Sequence, residues 1–126
     1  MKNHLSNALL VFTVLVSSLV FAGNATDTST STNESAEQNK KQLEAILALI
    51  GDAEYGEYLA GECSTCHVAS GGDGSIPSIH GQPKDYLASA LLEYKNQQRS
   101  NVVMQGVASA LGDEELAALV EYFSQQ

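Results

Sequence analysis

Cys63-Ser64-Thr65-Cys66-His67 constrains this chain more than any other stretch. Two thiols three positions apart, with a histidine directly behind the second, form the attachment signature for a c-type haem. The spacing has a physical reason. Each thiol reaches one vinyl group of a porphyrin and forms a thioether. The histidine is then carried beneath the ring, where an imidazole nitrogen can bind the iron. Other chemistries also use a Cys-x-x-Cys pair. A thioredoxin-like dithiol sits in a βαβ context, and no strand-like alternating run is legible here. A structural zinc site takes four ligands, usually with a second pair further on. Only His80 remains as an extra ligand, which leaves that set one short. A structural disulfide between Cys63 and Cys66 is the simplest alternative. The context these rivals require is missing, which favours haem.

The rest of the sequence bounds how such a group is housed. A chain of 126 residues makes one domain. With 15 acidic and 6 basic side chains its formal charge is −9. That balance argues against nucleic acid as a partner, because phosphate contacts need Lys and Arg. It fits a soluble protein that meets cationic surfaces. Tryptophan is absent and other aromatics are few, so a conventional core is thin. A large flat cofactor supplies much of the missing apolar interior.

Met1 to Asn7 is short and polar, and Ala8 to Phe21 is almost wholly apolar. Small residues follow, so residues 1–22 read as a secretory signal peptide. The alternative is an uncleaved anchor, although a spanning helix takes about 20 apolar residues and this run is shorter. Export agrees with haem attachment, which occurs outside the cytoplasm for this signature, and points to the periplasm. Removing residues 1–22 takes away Lys2 alone and makes the chain one unit more negative. Residues 23–38 are rich in Thr, Ser and Asn and read as a flexible linker. In 39–50, Leu43, Ile46, Leu47 and Ile50 follow a helical stripe. This extra amphipathic helix packs on the domain or serves docking.

Residues 51–126 form the functional domain. Asp52 can cap a helix running into the haem signature, and Gly56 allows another helix to approach closely. Gly71-Gly72-Asp73-Gly74-Ser75 reads as a plain turn, since it lacks the spacing of a dinucleotide site. Pro83 starts a helix with Tyr86, Leu87, Ala90, Leu91 and Tyr94 as its predicted buried stripe. Residues 97–105 read as polar apart from Val102, Val103 and Met104. A last helix begins around Gly112 to Asp113. Its first turn is acidic, and Leu116, Leu119, Val120 and Phe123 face inward.

These pieces resemble the class I cytochromes c, particularly small bacterial monohaem ones, and also the cytochrome subunit of flavocytochrome c sulfide dehydrogenase. The resemblance rests on Gly51 to Gly56, on Cys63-x-x-Cys66-His67 and on Pro77-x-Ile79-x-Gly81-Gln82. It continues through Met104 and from Leu111 to Phe123. It implies an all-α fold of three to five helices around one covalently attached haem c and its iron, with the first and last helices crossing near Gly56. It implies that Cys63 and Cys66 are the thioether attachments and His67 the proximal ligand. By the same route the Pro77 carbonyl orients His67, and Met104 is the distal ligand. Gly112 departs from the pattern, where a serine cap is common, as does His80, where a small residue is usual. The leader before Gly51 has no counterpart in the minimal family domain.

His80 and Met104 compete for the sixth iron position. A lone methionine among apolar neighbours is commonly core filler, but an iron held on one side needs a partner on the other. Met104 lies far enough beyond His67 to pass round the ring edge, whereas Pro77 draws the His80 segment to the proximal side. Imidazole with thioether is the established cytochrome c pairing. An iron held from both sides has no open position for substrate. The expectation is therefore a carrier of single electrons and not an enzyme. It would meet redox partners with basic docking patches through small, weak interfaces, under about 1,200 Å². A subunit of a periplasmic dehydrogenase complex is the alternative. Membrane association is expected only if the N-terminal segment stays uncleaved.

Overall fold

Asp52 sets the start of the central helix. Its carboxylate accepts the backbone N–H groups of Glu54 and Tyr55 at 3.0 and 3.1 Å, two of the donors a helix start leaves without partners. The computed structural model describes residues 28–126, with side chains from residue 33. Among these, every regular element is a helix: α1 (Thr28–Ala48), α2 (Ala53–Ser64), α3 (Lys84–Lys95), α4 (Val102–Ser109) and α5 (Asp113–Ser124). The signal-peptide reading, and the leader up to residue 27, lie outside the described residues.

α2 and α5 make the most extensive helix pair. At their crossing, a Cβ on Gly56 would stand 2.2 Å from the Ala118 carbonyl oxygen. Only a residue without a side chain lets the two backbones come so close. α5 opens at Gly112, which has no side chain to cap with. Glu115 instead accepts the Gly112 N–H at 2.6 Å, which is one half of a capping box. The inward face predicted for α5 is buried throughout: Leu116, Leu119, Val120 and Phe123. It forms a single core with Ala60 of α2, Leu87 and Leu92 of α3, and Ile46 of α1.

Three elements differ from the sequence expectation. α1 takes in Thr28 to Gln38, the stretch read as linker, and stops at Ala48, short of Ile50. Of the predicted stripe, Ile46 is buried and Leu43 packs against the core, while Leu47 and Ile50 are exposed. The helix is fixed where Ile46 docks, and extending an existing helix through polar residues is far easier than nucleating one. In α3 the buried residues are Leu87, Ala88 and Leu92, with Tyr86 exposed. The buried sector is rotated because α3 lies against both α1 and α5. The third is α4, in a stretch read as polar. Its N-cap is Asn101, whose side-chain oxygen accepts the Val103 and Met104 N–H groups, each at 3.1 Å.

Candidate haem-attachment site

The last turn of α2 presents the signature. The His67 and Cys66 N–H groups donate to the Cys63 carbonyl at 2.8 and 3.1 Å. The Thr65 hydroxyl donates to the Gly61 carbonyl at 3.2 Å. Neither cysteine is in a disulfide. Cys66 is exposed. Cys63 is half-buried, and that burial pushes its thiol above the ordinary range.

His67 is the one buried polar or charged residue among those described, at 9% exposure. Its Nδ1 lies 2.7 Å from the Pro77 carbonyl oxygen. A carbonyl can only accept, so Nδ1 carries a proton, and in the neutral ring the lone pair falls on Nε2. That is the tautomer a metal-binding imidazole needs, with the orienting hydrogen bond on the other nitrogen. Pro77 sits in the segment between α2 and α3. The N–H groups of Gly71 and Gly74 close its turns on Val68 and Gly71 at 2.9 and 3.0 Å. Asp73 accepts the Ser75 N–H and hydroxyl at 2.9 and 2.6 Å, and these bonds hold its carboxyl below the usual range. The glycine-rich stretch is thus a turn, as its lack of fingerprint spacing suggested.

The two rivals for the sixth position stand in different places. His80 Nε2 is 3.3 Å from the His67 carbonyl oxygen, and its ring meets Phe123 edge-on with centroids 5.3 Å apart. It is engaged with the backbone of the first histidine and with α5. Met104 lies in the first turn of α4 and is half-buried. Among the described residues, α3 is the only helix that α4 contacts. Val102 and Val103 are 81% and 67% exposed. Val107 of α4 and Val68 and Ile76 of the α2–α3 segment are exposed too.

The residues present fit a haem. Two unpaired thiols and an imidazole with a free Nε2 supply its donors, and unburied apolar side chains supply the surface a flat macrocycle covers. Among the described residues no group of three or more His, Cys, Asp or Glu side chains is placed to hold a metal ion unaided. Sequence reasoning did not single out Asn101, which caps Met104, or Gln105, whose Nε2 donates to the Arg99 carbonyl at 3.0 Å. An Asn at the position just before an apolar run was the available signal.

A family model described as cytochrome c matches residues 53–126. The chain belongs to the cytochrome c family. It is 39% identical over 69 residues to the cytochrome subunit of sulfide dehydrogenase of Chlorobaculum tepidum, covering 54% of this chain and 63% of that one. It is 33% identical over 86 residues to cytochrome c4 of Pseudomonas aeruginosa, covering 67% of this chain and 43% of the relative. It is 37% identical over 81 residues to cytochrome c-554(548) of Halomonas halodenitrificans, covering 60% of this chain and 98% of the relative. The chain therefore spans less than two-thirds of the first two relatives and nearly all of the third. The all-α arrangement is that of a class I cytochrome c, the family's proteins transfer electrons, and the domain implies covalently attached haem c with iron. α1 lies outside the matched residues.

Proposed function

We propose that this chain is an exported, periplasmic monohaem carrier that passes single electrons between redox partners and catalyses no reaction of its own. Haem c supplies one-electron exchange between ferric and ferrous iron. In this reading Cys63 and Cys66 hold it by thioethers, and His67 Nε2 binds the metal on one side. Pro77 keeps the His67 ring in one tautomer and one orientation through the 2.7 Å contact at Nδ1. That contact is the observation that carries the reading, because it orients an imidazole, through Nδ1, directly behind the two thiols and leaves Nε2 as its ligating nitrogen. Met104 would supply the second protein ligand through its thioether sulfur. The placement of His80 Nε2 against the His67 carbonyl supports Met104 over His80. A thioether opposite an imidazole raises the reduction potential. If His67 and Met104 both held the iron, they would leave it no open position for substrate. The acidic surface steers encounters toward basic patches, and association slows as salt rises. Residues 1–22 act as the export signal.

A second reading makes the chain the electron-accepting subunit of a dehydrogenase. The sulfide dehydrogenase subunit favours it, as does a relative described as a thiosulfate dehydrogenase electron acceptor, 37% identical over 70 residues. Co-purification with a larger flavin-containing partner separates the two readings.

Mass spectrometry of natively exported protein tests the cofactor: one added haem mass is expected, and bare polypeptide overturns the proposal. Met104→Ala tests the distal side. Loss of the thioether–iron charge-transfer band in the ferric protein, with a lower potential, is expected. An unchanged band removes Met104 from the site.

A further inference from the structure

Asn39 stands on α1, outside the residues the family model matches, yet it reaches the turn that leads into α4. Its side-chain oxygen accepts the Asn96 amide at 2.6 Å, and its amide donates to the Gln98 side-chain oxygen. It thereby bridges the two residues flanking Gln97. Gln97 has φ +58°, the only left-handed non-glycine among the described residues. A side-chain-bearing residue holds that conformation only when its surroundings impose it. The turn is tied further on. The Gln98 and Arg99 N–H groups both donate to the Glu93 carbonyl, at 2.8 and 3.3 Å. Gln105 Nε2 donates to the Arg99 carbonyl, and Asn101 caps the helix at Met104. A chain of short polar links thus runs from α1 to the first turn of α4. Among the described residues, α4 has no other helix but α3 to brace it.

We propose that Asn39 is a positioning residue for Met104: by clamping the 96–98 turn, α1 sets how firmly the methionine holds the sixth iron position. This rests on the reading of Met104 as the distal ligand. The fully packed α2–α5 side needs no such brace, whereas α4 is short, buries only Ala108 and packs on α3 alone among the described helices. Loss of the clamp frees the turn to relax, so the population with Met104 off the iron rises. An external ligand then competes more easily, since its apparent affinity follows the fraction of protein whose site is open.

The test is a titration of the haem-loaded, full-length ferric protein with imidazole, followed by loss of the thioether–iron charge-transfer band. Asn39→Ala is expected to tighten apparent imidazole binding roughly three- to tenfold, the range a lost exposed hydrogen-bond pair allows. Asn96→Ala should do the same, and the double variant should add little. Gln42→Ala is the control. It cuts another α1 contact, the 2.9 Å bond from Gln42 to Asp113, away from the turn, and should leave imidazole binding unchanged. An unchanged affinity in Asn39→Ala overturns the proposal, and so does an equal shift in Gln42→Ala, which would make α1 a general stabiliser only. Failure of the underlying reading looks different: Met104→Ala would then bind imidazole no better than the native protein.

Discussion

The α2–α5 crossing and the α4 arm differ in how much of their structure the polypeptide supplies. At the crossing, two backbones meet at a residue whose Cβ would fall 2.2 Å from a carbonyl oxygen. Around it lie Ala60, Leu116, Leu119, Val120 and Phe123, all buried. This half is close-packed by protein alone and tolerates little change of volume. α4 touches one helix, exposes two valines at its start and owes its first turn to the Asn101 side chain. His67 follows directly from the close-packed half and Met104 lies in the one that buries little. The His67 side is built with the fold; the Met104 side depends on the Asn101 cap and a single helix contact.

The sharpest way to break this contrast is to add volume at the crossing. Gly56→Val pushes side-chain atoms into the Ala118 backbone, which cannot move aside as a flexible side chain could. A loss of about 3 kcal/mol or more is expected, read as a fall in the denaturant midpoint. A cost under about 1 kcal/mol would mean that the crossing is as yielding as α4. A smaller change belongs on the other side. Asn101→Ala removes the N-cap, worth about 1 kcal/mol. Hydrogen exchange of α4 amides should accelerate about fivefold while α2 and α5 keep their protection. Acceleration spread evenly over all helices would erase the distinction. The smallest effect tests the surface of the close-packed half. Lys84 pairs with Glu121 and holds its carboxyl below the usual range, chiefly by hydrogen bonding. A depressed carboxyl pKa stabilises the fold above the unfolded value and loses that contribution as pH falls through the folded one. Lys84→Gln should therefore lower the melting temperature by about 2 °C near neutral pH, with the gap closing as acid protonates Glu121. A gap that widens in acid would assign the effect to packing of the lysine stem.

How much of this was legible in the sequence follows the same division. The signature itself, the Asp52 cap, the acidic start of α5 and its buried face are local patterns, and each has its expected place in the fold. What escaped depends on distant partners. α4 has eight residues with Gly106 inside it, too short and interrupted for periodicity to register. The buried sector of α3 turned toward Ala88 and Leu92 because α1 and α5 decide it, and Tyr86 carries no mark of being outside. The polar residues of α1 read as linker because their helix is maintained by a docking point further along the chain. The His67–Pro77 contact joins residues ten apart across an irregular loop. Only resemblance to a family suggested it, because spacing alone does not fix such a pairing.

α1 has a mechanical consequence of its own. A helix of 21 residues is about 30 Å long, and its socket residue, Ile46, sits two places from its end. Thr28 is thus the far end of a long lever arm whose fulcrum is Ile46 in the core, and Asn39, between the two, bears on the 96–98 turn. A pull or twist applied near Thr28, by a tether or by a neighbouring subunit, would be magnified at that turn, which gives force a route to the first turn of α4.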